Sequence, residues 1–103
     1  MQMNVGAWAR HNFPDDDRVC AVGSVTEEVG ELLRAARKQK QQIRGTHEEW
    51  DAELRKEAGD VLIALFQAAD NCGFDLYEAY RLRWNEVALR DFRADPKGHG
   101  LPE

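Results

Sequence analysis

Apolar residues recur every three or four positions along most of this sequence, and this spacing constrains the fold more than any other feature. Such a recurrence places side chains on one face of an α-helix. The first stripe comprises Val19, Val22, Val25, Val29, Leu32, Leu33 and Ala36. The second comprises Trp50, Leu54, Ala58, Val61, Leu62, Leu65, Phe66 and Ala69. No period-two alternation persists, so the sequence predicts an all-α bundle.

Capping residues and helix breakers divide the chain into four predicted helices. Thr46 with Glu49 matches a capping box, and Gly73 supplies a C-terminal stop. Ser24 with Glu27 also matches a capping box, so a start at Val25 is an alternative for the second helix. The predicted helices cover residues 1–11, 15–40, 47–71 and 75–93. We expect one domain over residues 1–93 and an irregular tail over residues 94–103.

Length and charge limit the classes of function. A chain of 103 residues has room for one domain with a small core. Association with further copies of the chain would enlarge that core. The net charge of −5 argues against stable nucleic-acid binding. Only two cysteines occur, without a CxxC motif, and no apolar run is long enough to cross a membrane. A reduced, cytoplasmic location is therefore the expectation.

Pairs of carboxylates interrupt both apolar stripes. Glu28 with Glu31, and Glu57 with Asp60, lie three residues apart, a spacing that makes them neighbours on a helix surface. Two carboxylates about 6 Å apart at an effective dielectric constant of about 20 repel by roughly 3 kcal/mol. Facing pairs would therefore need a cation or protons, whereas the alternative interpretation is two solvated helix faces.

Two glycines lie inside these acidic segments. Gly30 and Gly59 would each cost about 1 kcal/mol relative to alanine in a helix interior. We expect a close approach of the two helices beside the carboxylates to offset that cost.

The combined spacing Glu27-Glu28-x-x-Glu31 and Glu57-x-x-Asp60 resembles the EExxE…ExxD signature of the MazG-like, all-α nucleoside triphosphate pyrophosphohydrolases. The similarity covers roughly residues 19–93 and includes Gly73-Phe74-Asp75-Leu76, which looks like the turn before the family's last helix. The resemblance implies a four-to-five-helix bundle completed by oligomerisation as a homodimer or homotetramer. It also implies metal-dependent cleavage of the α–β phosphate linkage, releasing a nucleoside monophosphate and pyrophosphate. A role in nucleotide-pool housecleaning would suit such a small domain.

The resemblance also implies roles for the acidic residues. Glu28, Glu31, Glu57 and Asp60 correspond to metal ligands, with Glu27 as a further ligand or as the base that orients water. These five are the catalytic candidates. A carboxylate site without cysteine or histidine suits Mg²⁺, with Mn²⁺ as the alternative.

Substrate contacts are predicted from two parts of the chain. Relatives carry basic side chains in the last helix, and arginine binds phosphate in a bidentate geometry. An aromatic and amide cluster near the N-terminus is the candidate base pocket. The predicted substrate-binding residues are Arg83, Arg90, Lys38, Asn12 and Trp8, with Phe13, Arg93 and Lys97 as further candidates.

Two other classes of function are considered. A non-catalytic helical interaction module would keep the acidic fold without turning over nucleotides. A di-iron carboxylate bundle would require Glu-x-x-His pairs. None of His11, His47 or His99 follows a glutamate by three residues, which argues against the di-iron class.

Overall fold

Four helices without strands form the part of the chain that the computed structural model describes, residues 1–96. They are α1 (Gln2–Asn12), α2 (Arg18–Gln41), α3 (His47–Cys72) and α4 (Leu76–Val87). The predicted all-α class is confirmed. Among these four helices, none combines the length and apolar character needed to cross a bilayer.

The two long helices α2 and α3 form a hairpin whose seam consists largely of alanine. Ala21 and Ala35 of α2 are buried, as are Ala64 and Ala68 of α3. Because alanine has a small side chain, two helix backbones can approach closely along such a seam. α2 begins at Arg18 after the cap Asp17, whose pKa is lowered by hydrogen bonds from Cys20. The alternative start at Val25 is wrong, since the Ser24 hydroxyl donates to the Cys20 carbonyl inside the helix.

Caps define the remaining helix ends. The Thr46 side chain accepts from the Glu49 amide, and Asp75 caps α4 by accepting from the Glu78 amide. Gly73 ends α3 with a φ of 79°, a left-handed conformation that glycine adopts without steric cost. α4 ends at Val87, about two turns before the predicted end at residue 93, and the chain continues in turns to residue 96. The predicted tail extends into residues 97–103, which lie outside the described range.

Helix α1 lies against α3 and is held at both ends. The Gln2 amide donates to the Phe74 carbonyl, while Arg10 forms an ion pair of 2.6 Å with Asp70. A Cβ added at Gly6 would collide with the Asp70 carboxylate, so close packing requires glycine there. The close approach expected at Gly30 and Gly59 is wrong, because a Cβ at either position meets no atom within 4 Å in the described chain.

Thr46→Ala is expected to lower the free energy of unfolding by about 1 kcal/mol, because the first turn of α3 loses its side-chain cap. Urea denaturation followed by circular dichroism measures the change. Thr46→Ser is the matched control, since a serine hydroxyl can still accept from the Glu49 amide. Equal unfolding free energies for the two variants would contradict the assigned role of the cap.

Candidate functional site

A cleft of about 490 Å³ opens between α1 and α2, with α3 as its floor. Its volume lies within the range of small-molecule binding sites. Acidic residues line one part of the cleft and two aromatic rings line another. The lining residues are Trp8, Phe13, Asp16, Ser24, Glu27, Glu28, Asp60, Ile63, Ala64 and Gln67.

Three carboxylates meet where α2 crosses α3. One oxygen from each of Glu28, Glu57 and Asp60 lies within 4.8 Å of the others. Glu57 is buried, with 7% of its surface exposed, and Glu28 and Asp60 are half-buried. We call Glu28, Glu57 and Asp60 the acidic trio. Each comes from one of the predicted motifs, so the hairpin brings the two motifs together.

The environment of Glu57 opposes its negative charge. A hydrogen bond with the Glu53 side chain, then burial, then the charge of Asp60 raise its pKa, and the neighbouring Lys56 charge only partly offsets them. The Lys56 ammonium lies 4.0 Å from a Glu57 carboxylate oxygen. Protonation of Glu57 thus stabilises the fold at acidic pH, and this contribution is lost as the pH rises through the raised pKa.

The donors of the acidic trio fit a hard divalent cation. All three side chains offer carboxylate oxygens, which Mg²⁺ and Mn²⁺ prefer. No cysteine or histidine belongs to the group, which disfavours a softer metal such as zinc. A dication would also replace the proton that the crowded carboxylates otherwise favour. The side chains of the acidic trio therefore have the donor atoms that a hard divalent cation prefers.

The other two predicted acidic residues occupy different positions. Glu27 is exposed and lines the cleft beside Glu28. Glu31 is also exposed, but it belongs neither to the acidic trio nor to the lining of the cleft. The roles of Glu27 and Glu31 stay predictions.

The predicted phosphate contacts that belong to the described residues do not line the cleft. The Arg83 guanidinium binds Glu86 on its own helix at 2.7 Å. Arg90 follows α4, and its buried Nε has no hydrogen-bond partner in the described range. Lys38 lies ten residues beyond Glu28 on α2, a separation of about 15 Å along the helix. Arg93 is likewise absent from the cleft lining, and Lys97 lies outside the described residues.

The predicted N-terminal aromatic residues do line the cleft. Trp8 and Phe13 form an edge-to-face pair, with ring centroids 5.7 Å apart and planes at 80°. Both rings are about half exposed. The Asn12 amide instead donates to the Trp8 carbonyl at 2.9 Å and does not line the cleft. Asn12 therefore supports the backbone that carries Trp8.

Several cleft residues were missed by the sequence analysis. Ile63, Ala64 and Gln67 follow Asp60 at intervals of three, four and seven, so helical periodicity from Asp60 could have found them. Ser24 precedes Glu28 by one turn and carries the same signal. Asp16 had no local signal, because its position depends on a contact with the distant α3.

Comparison with protein families gives one match. The model of the MazG nucleotide pyrophosphohydrolase domain family matches residues 21–88, which contain both acidic motifs and the whole of α4. No curated protein and no solved structure shows significant similarity to the chain.

Proposed function

The chain belongs to the MazG nucleotide pyrophosphohydrolase domain family, and from this premise we propose that it is a Mg²⁺-dependent nucleoside triphosphate pyrophosphohydrolase. Mn²⁺ is the alternative metal. A water molecule attacks a phosphorus atom of the α–β anhydride and the anhydride bond breaks. A nucleoside monophosphate and pyrophosphate are released. The proposal includes a cytoplasmic role in clearing unwanted nucleotides.

One observation supports this function above the others: Glu28 and Asp60 of the acidic trio line a cleft that also carries exposed aromatic rings. A triphosphate requires a cation site, because its own charge repels an attacking nucleophile. A nucleobase requires a flat apolar surface on which to stack. Both features occur within a single cleft of suitable volume.

In the proposed mechanism Glu28, Glu57 and Asp60 hold the cation and Glu31 is a further candidate ligand. A cation held by these carboxylates would neutralise phosphate oxygens and lower the pKa of a water molecule. Glu27 lines the cleft beside Glu28 without belonging to the acidic trio, which leaves its carboxylate available to accept the proton from the attacking water.

The proposal includes a homo-oligomer, a homodimer or a homotetramer, because a single chain leaves too much surface exposed. Its accessible surface is 8120 Å², whereas a monomeric protein of this mass exposes about 5,900 Å². The radius of gyration is 17.3 Å, against about 13 Å for a compact domain of this length. The excess area is comparable to what each subunit of an obligate dimer buries, about 1,000–2,500 Å².

The excess surface includes an apolar face on the α2–α3 hairpin. We define the apolar face as Val22, Val25, Val29 and Leu33 of α2 with Leu62 and Leu65 of α3. Val22, Val25 and Leu65 line a groove of about 250 Å³ that shares no residue with the cleft. A second copy covering the apolar face would thus leave the cleft open to substrate.

Helix α4 is the second element that the described chain leaves largely uncovered. It buries none of its residues in the described chain, and Tyr80 and Trp84 are more than half exposed. An isolated helix of this length is marginal in water, so we propose that it packs on another copy. Arg83 and Arg90 would then bind phosphate in the cleft of that copy.

The test of this function is incubation with a panel of nucleoside triphosphates and Mg²⁺ or Mn²⁺, with the products resolved by ion-exchange chromatography. Equimolar nucleoside monophosphate and pyrophosphate are expected, and omission of metal should stop the reaction. Orthophosphate as the sole phosphate product would contradict the assigned bond cleavage. No turnover, together with no saturable nucleotide binding in calorimetry, would favour the non-catalytic interaction module.

A further inference from the structure

One polar side chain that lines the cleft has no hydrogen-bond partner among the described residues. Gln67 is half-buried on α3, two turns beyond Asp60, and its amide makes no hydrogen bond within the described chain. The same residue lines both the main cleft and an adjoining groove of about 210 Å³. A half-buried amide offers two donors and one acceptor oxygen, which makes it suited to bind a polar ligand.

Asp16 is fixed beside Gln67 by a contact that leaves its carboxylate free. The Asn71 amide donates to the Asp16 backbone carbonyl at 2.9 Å. Asn71 follows Gln67 by four residues, so the two are neighbours on one face of α3. The Asp16 carboxylate forms no hydrogen bond or ion pair with residues 1–96, although it is half-buried and lines both grooves.

The aromatic pair lines the cleft together with these polar groups. Phe13, like Gln67 and Asp16, lines both grooves, and Trp8 lines the main cleft. Because the two rings are nearly perpendicular, a flat ligand stacked on one ring turns its edge toward the other. The remaining ligand edge is then available to the amide of Gln67 and the carboxylate of Asp16.

We propose that Gln67 and Asp16 bind the edge of the nucleobase and select bases that carry an exocyclic amino group. This inference rests on the proposed nucleotide substrate. Gln67 anchors any base, because an amide can pair with either a donor–acceptor or an acceptor–donor edge after rotation. Asp16 supplies the selectivity, since a carboxylate accepts hydrogen bonds and donates none.

The chemistry of the bases gives the direction of the preference. Cytosine and adenine present an amino group that donates to a carboxylate, as they do to acidic and amide side chains in nucleic-acid recognition. Uracil and hypoxanthine present a carbonyl oxygen at the corresponding position. A carboxylate repels that oxygen, and a buried polar group left unpaired strongly disfavours the wrong ligand.

Two substrate pairs test the proposal, because within each pair an amino group is replaced by a carbonyl and the adjacent ring nitrogen gains a proton. The kcat/KM for dCTP is expected to exceed that for dUTP by about tenfold or more, and dATP should exceed dITP similarly. Ratios near one for the unaltered protein would overturn the proposal.

Single substitutions separate the two roles. Asp16→Asn adds a donor for the carbonyl oxygen, so the dCTP to dUTP ratio should fall to about one. Gln67→Leu should raise KM for both substrates by about tenfold and leave kcat nearly unchanged. The controls are Asp15→Asn, an exposed neighbour outside the cleft, and Gln41→Leu at the end of α2. An unchanged ratio in Asp16→Asn, or an unchanged KM in Gln67→Leu, would overturn the assignment.

Binding of nucleoside monophosphates separates this inference from the proposed reaction. Isothermal titration calorimetry with dCMP and dUMP needs no turnover. Binding of dCMP at least tenfold more tightly than dUMP supports the base assignment, even if no triphosphate is hydrolysed. Equal affinity for the two monophosphates overturns the assignment, whether or not triphosphates are hydrolysed.

Discussion

Asp60→Asn is expected to lower kcat/KM for Mg²⁺-dependent hydrolysis by about 10³-fold, equivalent to about 4 kcal/mol of transition-state stabilisation. The amide has nearly the same shape as the carboxylate but lacks its charge, so the acidic trio would hold a dication far more weakly. Without metal, the Asp60→Asn variant should be at least as stable as the unaltered protein, because one charge has been removed from three crowded carboxylates. Initial rates, calorimetric Mg²⁺ binding and thermal melting measure these three effects.

The matched control for this prediction is Asp51→Asn. Asp51 lies on the same helix and pairs with Arg55 at 2.9 Å, outside the cleft and outside the acidic trio. Activity close to that of the unaltered protein is expected. Retention of more than a tenth of the activity in Asp60→Asn would show that the acidic trio is not the cation site.

Leu62→Glu is expected to convert the oligomer into monomers and to lower its melting temperature. Leu62 belongs to the apolar face and is 46% exposed in the single chain. A glutamate there would be harmless in a monomer, because exposed substitutions usually change stability by less than about 0.5 kcal/mol. Within an interface it would bury an unpaired charge, at a cost of about 3–5 kcal/mol. Multi-angle light scattering after size-exclusion chromatography measures the mass.

The control for the apolar face is Met3→Glu, because Met3 lies on α1 and is 84% exposed. The Met3→Glu variant should have the same mass as the unaltered oligomer. A monomeric mass for the unaltered chain at every concentration, or an unchanged mass in Leu62→Glu, would remove the proposed interface.

The two acidic motifs could be predicted from sequence because helical spacing is a local property. Glu57 and Asp60 share one face of α3 by geometry alone, and apolar neighbours indicated that this face lies near the core. The same reasoning grouped Glu31 with Glu28, yet only Glu28 joins the trio in this chain. Spacing fixes the direction of a side chain on its own helix, whereas the crossing of two helices selects which side chains meet.

The glycines also show that tertiary contacts decide features which local spacing does not. Gly30 and Gly59 were expected to permit close helix packing, yet the glycine that does so is Gly6, beneath the Asp70 carboxylate. The Gly6–Asp70 contact joins positions far apart in sequence, and no local pattern could reveal it. Asp16 reached the cleft by the same kind of contact, through its hydrogen bond from Asn71.

The sequence by itself determined the helical class, the α3 caps at Thr46 and Gly73, and the two acidic motifs. These features depend on interactions between residues within about one turn of each other. Only the tertiary structure decided that Glu28 meets Glu57 and Asp60, and that Gln67 and Asp16 share a cleft with the aromatic pair. Such contacts depend on how α1, α2 and α3 pack, which is a property of whole surfaces rather than of local spacing.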